Sequence, residues 1–123
     1  MAARFIRISA VYFAIGVLLG MYMSMAHNYV LTGVHVHINL LGWASMALAG
    51  IIYHLYPAAV NNKLAKFHFW GANIGLPIMM LGLAALLLTG SAAFTPAISI
   101  GATIVVLSVL VFVYNVLKNV KSA

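Results

Sequence analysis

"HVHINLLGWASMALAGIIYHLYP", residues 35–57, is the stretch on which the fold turns. Between His37 and His54 no residue is charged, and Asn39 and Ser45 are the strongest polar side chains. At a rise of about 1.5 Å per residue, a helix over this run is close to the thickness of a bilayer's hydrocarbon core. Pro57 ends it, because proline offers no backbone N–H to continue the ladder. Two histidines, one residue apart, stand at its start. An ionisable side chain in an apolar span is costly unless it has a partner, so His35 and His37 need explaining.

Composition extends this reading to the whole chain. Of 123 residues, 66% are hydrophobic; six are Lys or Arg, and none is Asp or Glu. A soluble domain is normally about a quarter charged. The class expected is therefore an all-α membrane protein in a lipid bilayer. The net charge of +6 does not point to nucleic acid, because the basic residues come as separated pairs and not as a patch. Without carboxylates there is no paired-acid hydrolysis, no Ser-His-Asp triad and no Asp/Glu proton relay. Without cysteine there are no thiolate ligands.

Three further apolar runs flank the first, giving helices over about residues 8–26, 34–56, 67–88 and 97–117, each near the length of a span. The connections are short, which predicts one four-helix domain over 1–123, packed as an antiparallel bundle. Asn61 and Asn62 mark a turn. Thr95 and Pro96 read as a cap and first-turn pair. Pro77 falls inside the third helix, where it frees the carbonyl of Asn73. Gly16/Gly20 and Gly71/Gly75 are small-residue spacings that let helices approach closely. The fourth helix, without histidine, reads as an outer, partly lipid-facing one. Arg4/Arg7, Lys63/Lys66 and Lys118/Lys121 all fall on one side of such a bundle, and the other two loops carry no Lys or Arg. The positive-inside rule then puts both termini in the cytoplasm, in a multi-pass protein of a prokaryotic inner membrane. Ser24–Ala26 resembles a signal-peptide cleavage site, but the apolar run before it exceeds the usual 7–15 residues, so the first helix is read as retained.

Histidines carry the functional reading. His35 and His37, about 200° apart around a helix, point to nearly opposite faces and cannot grip one ion together. His37 and His54 lie about 25 Å apart along one helix. Imidazole is a common metal ligand and axial ligand to haem iron. The expected ligands are His35 and His37. His54 and His68 are a weaker pair, better explained by an interfacial aromatic belt than by a second site. Met21–Met25 ("MYMSM") reads as packing, not as a copper site.

The run from His35 to Pro57 resembles the second helix of subunit I of the haem–copper oxidase superfamily, above all its nitric oxide reductase branch. His37 with Asn39 matches that family's ligand to a low-spin haem b. "HFWGANIGLP" (His68–Pro77) is loosely similar to other helices of the family, and "HVH" is similar to its HxH motif, whose histidines hold two different haems. The resemblance implies a haem b (iron protoporphyrin IX) held by His35 and His37, with Asn39, Trp43 and His27 around it. The family's subunit has twelve helices in three arcs. Four helices are one third of that, so a homotrimer is expected, with haems between protomers and electrons exchanged with a donor protein or quinol. The family's copper or second-iron site, its covalent tyrosine and its propionate-holding arginines are not recognisable here. Electron transfer is thus favoured over enzymatic catalysis. A gas-binding haem protein with an open coordination site (for NO or O2) stays open as an alternative, as does a haem-free assembly factor or channel.

Overall fold

The computed structural model describes residues 1–122. Among them there are helices and turns and no strands. Four helices are long and apolar enough to cross a membrane: Ala2–Ala26, Thr32–Leu55, Lys63–Thr89 and Ala92–Asn119. The first, third and fourth begin or end in the flanking basic segments, beyond the apolar limits expected from sequence, because backbone hydrogen bonding continues after hydropathy has fallen; the second begins two residues before its expected start and stops one residue before its expected end. We call them the first to fourth spans.

The ends follow from local chemistry. His27 closes the first span in the left-handed region at φ 50, with Asn28 N donating to Met23 O at 3.1 Å. The second span stops at Leu55; Tyr56 is extended and Pro57 opens a short turn of helix, Pro57–Val60. Asn62 caps the third span, its side chain accepting from Ala65 N at 2.9 Å. Pro77 lies within that span, and Gly90 ends it at φ 70. One expectation is corrected here. Thr95 is not a capping residue: it is already helical, and the 3₁₀ turn Ala92–Phe94 leads into it, with the Ser91 side chain accepting from Ala93 N.

The second span is not uniform. Ile38–Ala44 is a π-helix between the α-helical pieces Thr32–His37 and Ser45–Leu55. Such segments insert a residue into the helical register and are frequent at functional sites. This one begins directly after His37.

Glycines set the contacts between spans. A Cβ on Gly16 would strike the side chain of Asn39, on Gly20 that of His35, on Gly42 that of Tyr12, and on Gly50 that of Ile6. As the first span ascends, its partners on the second descend. Gly71 meets Ser108, Gly75 meets Ile104 and Gly82 meets Ile98, pairing third and fourth spans in the same sense. Between the third and fourth spans the closest approach is at Gly101, where a Cβ would lie 2.5 Å from Met79 N. Two apolar clusters result. One joins Phe5, Met46, Tyr53 and Phe69, with Met1 and Val120 packed against it. The other joins Val34, Ile38, Leu76, Met79 and Val105.

The fourth span is an outer, partly lipid-facing helix, as its composition suggested. Gly101, Val105, Ser108 and Asn115 are buried along one face, while Val106, Leu110 and Leu117 are exposed on the other. Large apolar side chains cover the outside, Leu81 and Leu117 being 74% and 78% exposed. In water such a surface would aggregate; in lipid it matches its solvent.

Candidate functional site

His35 and His37 face different elements. The His35 ring lies on the first span: Nδ1 is 2.8 Å from Gly16 O, and a Cβ on Gly20 would come 2.8 Å from Cε1. Glycine at 16 and 20 gives the imidazole its room. The His37 ring turns the other way, into an open groove of about 420 Å³ between the second, third and fourth spans, whose lining includes Leu41, Met79, Val105 and Val109.

Both rings are tethered in the same manner. His37 Nδ1 is 2.7 Å from Gly33 O, one turn back on its own helix. A carbonyl oxygen can only accept, so in each histidine Nδ1 carries the proton and donates. The neutral ring then presents Nε2 with a free lone pair. An imidazole held by an Nδ1–H···O=C bond is the usual arrangement of a metal-ligating histidine. His37 Nε2 has no hydrogen-bond partner among the described residues; the nearest donor to His35 Nε2 is Asn39 Nδ2, at a long 3.4 Å.

Asn39 sits in the π-helical segment, between the His35 ring and Gly16. Its Oδ1 is buried without a hydrogen-bond partner, the one such side-chain atom among the described residues. An orphaned buried acceptor costs about 1–3 kcal/mol. Trp43 packs on Phe13, ring centroids 4.6 Å apart at 31°. It therefore stands on the first-span side with His35 and Asn39, away from the His37 groove. His27 is exposed at the end of the first span; Asn28 beside it accepts from Val30 N at 3.1 Å.

His54 and His68 do not form a site together. His54 is exposed, as a belt residue would be. His68 is not in a belt, for it is 5% exposed. Its ring lies between Phe5 and Phe112, with centroids at 4.9 and 4.6 Å, and Nδ1 is 2.8 Å from the Tyr53 hydroxyl. Beside it is a small cavity of about 20 Å³, lined in part by Ser45 and Ser108, enough for about one water. Sequence reading missed this pair. Its traceable signal is the serine and asparagine of the fourth span, polar residues whose spacing marks a buried face. No group of three or more His, Cys, Asp or Glu that could hold a metal ion occurs among the described residues.

A haem suits the His37 side on two counts: a tethered imidazole with an unengaged nitrogen, and an adjoining apolar groove within the roughly 300–1,000 Å³ of small-molecule sites. The two histidines of one chain cannot serve one iron in this arrangement, because the second span itself stands between their rings.

Comparison with known proteins gives partial matches to oxidase subunits. The chain is 40% identical over 47 residues to the Cbb3-type cytochrome c oxidase subunit CcoN1 of Stutzerimonas stutzeri, which takes in 33% of this chain and 10% of that protein. It is 37% identical over 59 residues to the bacteroid cytochrome c oxidase subunit 1 homolog of Bradyrhizobium diazoefficiens, and equally so to cytochrome c oxidase subunit 1 of Rhodobacter capsulatus. Those two matches take in 43% of this chain and 11% of each relative. The chain thus spans about a tenth of the length of the curated relatives it matches. No protein-family model matches it, and no solved structure does. The similarity is consistent with a haem–copper oxidase subunit I-like relation and with a multi-pass prokaryotic membrane protein.

Proposed function

We propose that this chain is a haem b protein of the prokaryotic inner membrane that carries electrons, with His37 as an axial ligand through Nε2. The observation that carries the reading is the His37 tether: Nδ1–H is committed to Gly33 O at 2.7 Å, and the ring lines an apolar groove. The partial similarity to oxidase subunits supports it. A bound haem supplies a one-electron couple. The chain's own residues would bind it, orient it and keep water from it. His35 is tethered alike on the opposite face, against its own first span, and on this reading it would serve a neighbouring copy's site. Each haem then lies between two copies, held by His37 of one and His35 of the next, and cyclic symmetry closes such heterologous contacts into a ring. A homotrimer is the ring proposed. Asn39 and Trp43 support the His35 side, and His27 with Asn28 and Tyr29 offers polar groups at the span ends for the propionates. On this reading the domain is one antiparallel four-helix bundle over 1–123 with both termini cytoplasmic, which the positive-inside rule supports from the Lys and Arg pairs. Its electron donor is a protein or a quinol.

One observation favours a second reading of the other axial ligand: Met79 lines the same groove as His37, and methionine is an established partner of histidine on haem iron. The visible spectrum of the purified protein, oxidised, reduced, and reduced with carbon monoxide, tests both. Two histidines give sharp low-spin bands unmoved by carbon monoxide, and either His35→Ala or His37→Ala alters them. A methionine ligand gives the weak far-red band of ferric His/Met haem, lost in Met79→Leu and kept in His35→Ala. A Soret band shifted by carbon monoxide assigns an open-site, gas-binding protein instead. A protein still colourless after haem supplementation refutes the haem reading.

A further inference from the structure

The basic residues form three pairs at the same i, i+3 spacing: Arg4/Arg7, Lys63/Lys66 and Lys118/Lys121. None has an Asp or Glu partner, since the chain holds neither. Lys63 and Lys66 stand apart in what surrounds them. Both line a cavity of about 360 Å³ with Asn61 and Asn62, in the turn between the second and third spans. Lys66 also lines an apolar groove of about 520 Å³, which continues along the third span past Phe67, Trp70 and Ile74 to Ile104 of the fourth. The cavity with the two lysines, which Met1 and Val60 also line, and the apolar groove therefore share one lysine. Trp70 is 55% exposed and Phe67 50%, so the groove is open on its outer side.

The frame of the cavity is rigid. Asn62 caps the third span through Oδ1, while its Nδ2 donates to Ala58 O, Ala59 O and Asn115 Oδ1 at 3.0, 3.1 and 3.0 Å. Asn115 is fully buried and donates to Ala59 O at 2.7 Å; Asn119 donates to Asn115 Oδ1 at 2.7 Å. This asparagine cluster locks the turn that carries Lys63 and Lys66 to the end of the fourth span.

We propose that this is a binding site for one anionic phospholipid, independent of any haem. The headgroup phosphate lies between the Lys63 and Lys66 ammonium groups, and an acyl chain lies in the groove along Phe67, Trp70 and Ile74. A cationic cavity at the membrane surface attracts the negative headgroup, and a tenfold preference corresponds to about 1.4 kcal/mol. The adjoining apolar groove selects a chain-bearing phosphate over a free one.

The test is native mass spectrometry of the full chain, released from mixed micelles holding equal phosphatidylglycerol and phosphatidylcholine of one acyl length. The wild-type chain retains one phosphatidylglycerol per protomer in preference to phosphatidylcholine. In K63Q/K66Q that preference falls about tenfold, while K63R/K66R keeps it and K118Q/K121Q leaves it unchanged. Circular dichroism melting of each variant establishes that it is folded, and the arginine pair keeps the test valid if the glutamine pair is not. Three results overturn the proposal. K63Q/K66Q keeps the wild-type preference; or K118Q/K121Q lowers it as much, which makes the attraction one of net charge; or millimolar inorganic phosphate displaces the lipid, which makes the cavity a phosphate site.

Discussion

Gly101→Ala is the sharpest single test of the packing that shapes the His37 groove. The added methyl would lie 2.5 Å from Met79 N, 2.8 Å from Gly75 O and 2.9 Å from Met79 Cα, all backbone atoms. Ordinary carbon contacts are about 3.5–4.0 Å. No rotamer change relieves the clash, so the third and fourth spans must part by about 1 Å at this level. Overpacking a tight interface costs typically about 1–3 kcal/mol, and an immovable backbone puts this case near the top of that range. Helix propensity returns up to about 1 kcal/mol for replacing glycine by alanine, leaving a net loss of about 2 kcal/mol. Gly33→Ala is the matched control. Its methyl would meet only Leu83 Cδ2, at 3.7 Å, so propensity alone acts and stability is unchanged or higher. Unfolding in mixed micelles against rising dodecyl sulfate, followed by Trp43 and Trp70 fluorescence, measures both. Equal stability of the two variants would refute the close contact at Gly101, and with it the groove as described.

Two further substitutions read other parts of the account. Asn115→Ala removes the donor to Ala59 O and the acceptor of Asn62, two bonds that leave the fourth span, along with the bond from Asn119 within it; at about 0.6 kcal/mol per bond between helices, the same unfolding assay should record a loss of about 1 kcal/mol, and a loss no larger than that of a lipid-facing Leu117→Ala would show the cluster to be dispensable. Gly20→Ala puts a methyl 2.8 Å from His35 Cε1, a contact that a side-chain ring can escape by turning. The fold should therefore survive with under about 1 kcal/mol of cost, while the visible bands of the haem-loaded protein shift; bands identical to the wild type would take His35 out of the ligand set.

Much of this architecture is readable in the residues themselves. Four hydrophobic runs with no acidic residue leave few alternatives to membrane-spanning helices, and Pro57 marks the end of the second. The opposite facing of His35 and His37 follows from two residues of helical twist, and the structure sets them against the first span and the open groove respectively. Other features are written only in three dimensions. Nothing in "INLLGWA" announces a π-helix; within it Gly42 admits Tyr12 and Asn39 lies against Gly16, contacts with the first span that no local pattern shows. His68 looks like a belt residue beside Phe67 and Trp70, yet the twist of its helix turns those two outward and His68 inward between Phe5 and Phe112. Phe5 lies far from it in sequence, so no local pattern signals the pair. The fourth span shows the same limit. Its Val and Ile content reads as an outer, partly lipid-facing helix, and only Gly101, Ser108 and Asn115 hint which face is the buried one.

The axial ligands of the iron decide the central claim, and near-infrared magnetic circular dichroism of the ferric protein reads them directly. The account predicts the signature of two imidazoles, present in the assembled oligomer and abolished in His37→Ala while His54→Ala keeps it. A histidine–methionine or histidine–water signature, or an unaltered bis-imidazole signature in His37→Ala, would contradict it.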